Sequence, residues 1–441
     1  MANHPSPSLT RRQFIGGSTA LACLWPSHLI AQTLPILRVQ PGRLSLPSGN
    51  VAILGFGGTA PGPILRARKG EELKIRIRND LDREMNVHWH GIRGLPGLGG
   101  PDASQPWIGP GEERGGTIFL RDAGTFLYRG ITRNALKGMD RLYGALVVDE
   151  TQRPSADRDV VLVLDEWRVD GEGQAVDPQS LLYKSSVAKA TANSASPFEI
   201  STRNNERLRL RLINATARHA FALRFENHPV RVMAIDGQPA EPFLARDNKV
   251  LLGPGNRMDL FVDMLLAPGS TAQIVAAHQG RESTIARFTY TAEIPLRSKP
   301  LDDPSPLPPN ALPERIDLRS AFRAELPLHE SGESPADLNS RLMASPGFAT
   351  APLFSVKRGR PVALSISNSM TNAVAIHIHG HCVRLLDRMD DGWKPFWLDS
   401  LMVEPREIVR VTFVADRPGK WPIECQAIER PERINAWFEI T

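Results

Sequence analysis

Two short stretches of the sequence place histidines two residues apart, "NVHWHG" from Asn86 to Gly91 and "AIHIHGH" from Ala375 to His381. On a β-strand, such residues point to the same face about 6.5 Å apart, so each pair can present two imidazoles to one site. Neutral imidazole is a good ligand for copper, zinc and iron at physiological pH. The pairs predict a metal site, against the alternative that all four are core histidines without a metal.

The segments around both pairs belong to a chain of short strands. β-branched runs separated by Gly, Pro and Asp recur from about Leu37, for example "EELKIRIRND", "GTFLYRG", "RLRLRLINAT", "NRMDLFVDM" and "EIVRVTFVAD". Such regular spacing is typical of β-sandwiches and barrels. The sequence therefore predicts an all-β protein.

The length of 441 residues is too great for one ordinary core and suggests about three domains. Two breaks support that division: "DETQRPSADRD" near residue 150 and a proline-rich segment at 294–317. We predict domains at 33–152, 153–297 and 298–441, the last beginning with the proline-rich linker.

The composition fits a loop-rich globular protein, with 41% hydrophobic and 23% charged residues, 35 Gly and 37 Pro. The net charge of +5 is spread in mixed-sign clusters and does not favour a nucleic-acid or membrane-surface partner. We expect a small-molecule substrate or a metal ion as partner, and no nucleic acid.

The N-terminal stretch "LTRRQFIGGSTALACLWPSHLIAQT" has the order of an export signal. Twin Arg11 and Arg12 precede a short apolar run and small residues near Ala31. A twin-arginine signal carries folded proteins, which suits uptake of a cofactor before export. We predict a signal peptide at 1–32, a periplasmic mature protein and no membrane span, because the apolar run is too short for one.

Motifs from all three predicted domains carry a resemblance to a known family. "PGPILRARKGEELKIRIRNDLDREMNVHWHG", "RLRLINAT…VMAIDGQPAEP…LLGPGNRMDLFVD" and "AIHIHGHCVRLLD…ADRPGKWPIECQ" resemble, in order, the multicopper oxidases, which include laccases and periplasmic cuprous oxidases. The resemblance covers nearly the whole mature chain. It implies three consecutive cupredoxin-like Greek-key β-sandwich domains, copper as cofactor and a monomer.

By the same resemblance, four histidines match copper ligands of the cluster that the family places between its first and third domains. His88 and His377 match ligands of the type 2 copper, and His90 and His379 match one ligand to each copper of the type 3 pair. His381 matches a family histidine that is not a ligand.

The other ligand motifs of the family are changed in this sequence. Arg129 and Ile131 stand in place of two histidines of the second motif. In the third and fourth motifs, ligand positions hold other residues, namely Val374, Glu424, Gln426 and Arg430. The blue-copper site keeps Cys425 alone, with its axial position near Ile434 or Asn435. Because a blue centre needs two His and a thiolate, we expect none here.

Two residues of the altered region, Glu424 and Cys425, have alternative interpretations. Glu424 either adds a carboxylate ligand to the four histidines or forms a salt bridge with Arg129 in the volume of a lost copper. Cys425 is best explained as a buried thiol, although a disulfide with Cys382 is conceivable in an oxidising periplasm. Asp102 and Asp399 are weaker polar candidates, the latter structural or on the substrate side.

The predicted site is thus His88, His90, His377, His379 and Glu424. The favoured function is a copper oxidoreductase with fewer coppers than a laccase, held by the four histidines between the first and third domains. The alternatives are a non-catalytic envelope scaffold, like the copper-free cell-division members of the family, and copper storage or transfer.

Overall fold

A computed structural model describes the ranges 35–46, 49–95, 106–133, 141–172, 176, 186–278, 280–329, 351–386, 396–429 and 433–441. The predicted signal peptide at 1–32, together with Asp102 and Arg430, lies outside the described residues. The described chain from Pro35 onward forms one compact unit. Among the described residues, no helix has the length and apolar character that a membrane crossing needs.

Strands account for almost all regular structure, as the alternating pattern predicts. In the strand Glu72–Asn79, Leu73, Ile75 and Ile77 are buried while the intervening Lys74 is exposed. This period of two fits a sheet with one face on a core. One turn of 3-10 helix, Arg246–Asn248, lies between two strands.

The first sandwich contains strands β1 (Ile36–Leu46), β2 (Gly49–Phe56), β3 (Leu65–Arg68), β4 (Glu72–Asn79), β5 (Met85–His90), β6 (Glu113–Phe119), β7 (Gly124–Thr132) and β8 (Tyr143–Asp149). The second contains β9 (Arg158–Val169), β10 (Val187–Ala192), β11 (Phe198–Thr202), β12 (Arg207–Asn214), β13 (Phe221–Phe225), β14 (Val230–Ile235), β15 (Gln238–Leu244), β16 (Lys249–Leu252), β17 (Arg257–Asp263), β18 (Thr271–His278) and β19 (Arg281–Tyr290). The third contains β20 (Phe322–Leu328), β21 (Ser355–Val356), β22 (Pro361–Asn368), β23 (Val374–Ile378), β24 (Val383–Leu385), β25 (Trp397–Leu398), β26 (Ser400–Val403), β27 (Ile408–Val414), β28 (Gly419–Ala427) and β29 (Arg433–Ile440).

Each sandwich consists of two sheets around its own apolar core. The strand orders are β2-β1-β4-β6 with β3-β8-β7-β5 in the first, β10-β9-β12-β17-β14-β15 with β11-β19-β18-β13-β16 in the second, and β20-β22-β27-β24-β25 with β21-β29-β28-β23-β26 in the third. Three clusters of buried side chains fill these sandwiches. The predicted all-β class with three sandwiches in series is therefore confirmed, and the boundaries drawn from sequence stay predictions.

A fourth apolar cluster joins the first sandwich to the second. Leu127 and Tyr143 of the first pack with Val163, Trp167 and Ile213 of the second, all buried. Because apolar area is removed from water on both sides, this interface stabilises one relative placement of the two sandwiches.

The three arginines of β12 form a buried charged face of the second sandwich: Arg207, Arg209 and Arg211. Arg209 is bidentate to Glu150 at 2.7 and 2.9 Å and contacts Asp259 at 2.5 Å. Arg211 contacts the same Asp259 at 3.1 Å and also Asp159. Since buried charges need partners, this network holds Glu150, which directly follows β8 of the first sandwich, against the second sandwich.

Replacing Arg209 with Met leaves Glu150 and Asp259 buried with one cation fewer. We expect a loss of about 3–5 kcal/mol in unfolding free energy, measured by urea denaturation with tryptophan fluorescence. The matched control is Arg287→Met, which removes an exposed pair with Glu199 and should cost less than about 1 kcal/mol. Equal effects of the two substitutions would contradict the importance of the buried network.

Candidate metal centre

The two histidine pairs come together where the first sandwich meets the third. His88 and His90 lie on β5, His377 lies on β23, and His379 directly follows β23. All four side chains are buried. The structure thus brings together four imidazoles from two segments that lie far apart in the chain.

The ring nitrogens approach one another closely. His88 Nε2 lies 3.0 Å from His377 Nε2, and the donor nitrogens of His88, His90 and His377 all lie within 4.8 Å of one another. The rings of His90 and His377 stack with centroids 3.5 Å apart. The ring of His379 lies 4.2 Å from that of His88 and 4.5 Å from that of His377.

These distances fit a metal of the first transition row. Metal–nitrogen bonds of about 2.0 Å at right angles place neighbouring donor atoms about 2.8 Å apart, close to the separation of the His88 and His377 nitrogens. His379 Nε2 is buried and has no hydrogen-bond partner among the described residues. A buried polar atom without a partner is costly. The position of His379 Nε2 is therefore better explained if this nitrogen binds a metal ion. The donor set fits copper, for which imidazole is suited.

Hydrogen bonds set the tautomers of two of the histidines. Ser400 Oγ donates to Asp399 Oδ1 at 2.8 Å, so its oxygen accepts from His90 Nε2 at 2.7 Å. His377 Nδ1 donates to the Asp399 carbonyl at 3.0 Å. In the neutral rings, His90 Nδ1 and His377 Nε2 are therefore left unprotonated. Partners of this kind commonly orient metal-binding histidines.

Asp399 itself is held by the second sandwich. Arg257 makes two hydrogen bonds with its carboxylate, at 2.7 and 2.5 Å, and both side chains are fully buried. Burial alone would raise the pKa of Asp399, but the charge and hydrogen bonds of Arg257 hold it well below its ordinary value. Asp399 is therefore an anion that connects all three sandwiches.

A hairpin of the second sandwich also binds the backbone of Asp399 and Ser400. The "DG" turn between β14 and β15 places Asp236 at φ 50° and Gly237 at φ 75°, as a two-residue hairpin with two left-handed residues requires. Asp236 Oδ2 accepts the backbone N–H groups of Asp399 at 3.2 Å and Ser400 at 3.1 Å. Burial and the nearby Asp399 charge raise the pKa of Asp236 to about 6.

Gly255 lets the second sandwich approach the histidines. Its backbone has φ +77°, and a Cβ there would come within 2.7 Å of His90 Cε1. Any larger residue would push the ring, so the "GPG" turn requires glycine at this position.

Burial favours the neutral form of His88, His90 and His379. It lowers the pKa of His88 and His90 well below the ordinary value, and neighbouring imidazoles add to the effect. It lowers the pKa of His379 to about 4, helped by His377. Neutral imidazoles are the form that binds metals, so the site is ready for a cation at neutral pH.

Glu424 lies at the edge of the cluster. It is opposite His377 in the pairing of β23 with β28, and its Oε2 lies 3.7 Å from His379 Nε2, beyond hydrogen-bond length. Arg129 is opposite His88 on β7 and donates to the carbonyls of Ala215 and Thr216 at 3.2 and 3.4 Å. The ligand role of Glu424 and its salt bridge with Arg129 both stay predictions.

The residues at the blue-copper ligand positions are buried in the apolar core or hydrogen-bonded to the backbone. Val374 is buried at the start of β23, and Gln426 donates to the carbonyl of Ala427 at 3.1 Å. Cys425 lies within the core of the third sandwich, where burial and the nearby Glu424 raise its pKa. Cys382 and Cys425 are both free, so the conceivable disulfide between them is absent.

Sequence reasoning missed the residues that hold the histidines. No local pattern marks Arg257, Asp236 or Ser400 as part of the site, and the sequence predicts Asp399 only as a structural or substrate-side residue. The "DG" dipeptide and the arginine within the strand "NRMDLFVD" were the available signals. The tip of a two-residue hairpin often projects from a sandwich. An arginine on the buried face of a strand needs an anion as partner.

The fold and the site together define a class of protein: three β-sandwiches in series, with a histidine cluster where the first meets the third. Three models described as "Multicopper oxidase" match residues 38–153, 147–293 and 323–430. The chain belongs to the multicopper oxidase family, and its sandwiches are cupredoxin-like.

Individual relatives agree with this assignment. The chain is 27% identical over 446 residues to multicopper oxidase MmcO of Mycobacterium tuberculosis, covering 88% of this chain and 83% of the relative. Among solved structures, Lac15 from a marine microbial metagenome superposes with a TM-score of 0.74 at 26% identity, covering 92% of this chain and 100% of the other. A multicopper oxidase from Pseudomonas thermotolerans gives 0.74 at 27% identity, covering 92% and 98%.

The lowered pKa values make the stability of the metal-free protein dependent on pH. In the unfolded chain His379 binds a proton below about pH 6.5, whereas in the folded state it does so below about pH 4. Its contribution is present above about pH 6.5 and is lost as the pH falls toward 4, by about 3 kcal/mol in all. Tm measured from pH 7.5 to 4.5 should fall less steeply in His379→Gln than in wild type. The control His329→Gln, at an exposed position, should keep the wild-type slope; a slope unchanged in both variants would contradict the lowered pKa.

Proposed function

We propose that this protein is a copper-dependent oxidoreductase in which four histidines between the first and third sandwiches hold one copper, and that it has no blue copper. The observation that carries the proposal is the approach of His88 Nε2 to His377 Nε2 at 3.0 Å. Two imidazole nitrogens from different sandwiches meet there, beside two further imidazoles. Imidazole nitrogens are suited to copper, so this donor set supports a copper site.

The four histidines would hold the copper, and Glu424 would add a carboxylate ligand. Bound copper would supply one-electron chemistry by changing between its cuprous and cupric states. Arg257, Asp399 and Ser400 orient His90 and His377, which limits their rotation when a ligand is exchanged.

The side of the histidine cluster at Glu424 is the more exposed one. The side chain of Glu424 is 26% exposed, whereas His377 and His379 are 7% and 5% exposed. A substrate would reach the centre directly along this side, because the ligand positions of a blue relay copper are occupied by Val374 and Gln426. The proposed substrate is therefore a small molecule or a metal ion.

We further propose that the protein acts in the periplasm after export by the twin-arginine route. Arg11 and Arg12 with the apolar run that follows support this. A centre shared by three sandwiches exists only in the folded chain, and a route for folded proteins allows the copper to be bound before export.

Copper loading tests the proposal directly. After incubation with Cu(II) and gel filtration, we expect about one copper per chain, a type 2 EPR signal and no strong absorption near 600 nm. His88→Ala combined with His377→Ala should abolish binding, and His329→Ala at an exposed position should not change it. Oxygen consumption with phenols, cuprous ion and small amines then measures turnover.

Three outcomes would count against this function. A strong blue band would show that another thiolate centre is present. A metal-free protein after loading would favour the scaffold alternative. Tight copper binding without turnover on any substrate class would favour storage or transfer.

Asp399→Asn tests whether the second sandwich controls the centre. The substitution keeps the shape but removes the charge that pairs with Arg257, so we expect copper affinity to fall about 10- to 100-fold. Asp303→Asn, which changes an exposed partner of Arg231, is the control. Competition titration with a copper chelator measures both. Equal affinities of the two variants would mean that the histidines hold their geometry without Asp399.

A further inference from the structure

A cleft of about 530 Å³ lies between the first sandwich, the proline-rich linker and the third sandwich. It is separate from the histidine cluster, although its inner wall is formed by the turn Gly380–Cys382 that directly follows His379. The volume is within the range of small-molecule sites, and junctions between domains are common places for them.

The charged groups of the cleft are mainly cationic. Arg121 donates through Nη1 to Asp416 at 2.9 Å, and Arg93 makes two hydrogen bonds with Asp122. Lys69 Nζ donates to the carbonyl of Pro309 at 3.0 Å, a neutral partner. These three cations face two carboxylates, which leaves one positive charge in excess.

The surroundings extend this positive potential. The pKa of Arg417 is lowered by burial and by the charge of Arg121, which places a fourth cation in the same region. An anion entering the cleft would therefore meet unmatched cations.

Aromatic side chains supply the apolar part of the cleft. Phe119 is 54% exposed at the end of β6, and it lines the cleft together with Trp397. Aromatic rings prefer to pack against other rings at offset or edge-on angles, which adds to the effect of area burial.

We propose that this cleft binds a small aromatic carboxylate. The ring packs against Trp397 and Phe119, and the carboxylate accepts hydrogen bonds from Lys69 and from the N–H groups of Arg121 that Asp416 does not use. Charge-assisted bonds of this kind are stronger than neutral ones. The proposal goes beyond the copper function and does not depend on a bound metal.

Isothermal titration of the copper-free, full-length chain with benzoate tests the proposal, with benzamide as a neutral probe of the same shape. We expect saturable benzoate binding with a dissociation constant on the order of 1 mM or tighter. Binding of benzamide should be at least about tenfold weaker, because the amide lacks the charge.

Variants identify the cleft as the place of binding. Lys69→Gln should weaken benzoate binding about tenfold, and Trp397→Leu should weaken benzoate and benzamide alike. The matched control is Lys420→Gln, which changes an exposed lysine lying 5.2 Å from the Trp437 ring, outside the cleft. Circular dichroism confirms that each variant is folded.

Several results would overturn the proposal. These are no saturable benzoate binding by wild type, equal affinities for benzoate and benzamide, or a loss in Lys420→Gln as large as in Lys69→Gln. Copper content and EPR are measured on the same preparations, so failure of the cleft and failure of the copper centre are separate results.

Discussion

The buried ion pair between Arg257 and Asp399 is the interaction on which the centre depends. Two charges placed out of water are costly, so the pair is favourable only while both partners keep their full set of hydrogen bonds. Arg257 belongs to the second sandwich and Asp399 to the third, and the aspartate and its neighbour Ser400 orient His90 of the first. Displacing any one sandwich would break some of these hydrogen bonds. The electrostatic cost of leaving the buried charges unpaired therefore favours one relative placement of the three sandwiches.

This arrangement explains why the middle sandwich matters although it contributes none of the four histidines. Its "DG" hairpin and its "GPG" turn approach β26 and His90, one through the Asp236 carboxylate and the other through a glycine backbone. The first and third sandwiches supply the imidazoles, and the second fixes their orientation. The site is therefore a property of the whole unit.

The sequence was sufficient to predict the fold and the position of the histidines. Strand β4 alternates apolar and charged residues, which is a local property that sequence displays directly. In β12 the same alternation predicts a strand, yet both faces are buried, because the arginine face meets carboxylates from other elements. Such long-range pairing is invisible in a local pattern. For the same reason Asp399 could be named as a polar candidate but not connected with Arg257.

His88 and His377 are separated by 289 positions in the chain, and their nitrogens are 3.0 Å apart. Closing so large a loop costs conformational entropy that only the docked C-terminal sandwich can offset. The cluster can therefore form only after synthesis has passed His379. A chain truncated before β23 would lack half of the imidazoles, so the histidine cluster is complete only when the third sandwich is present.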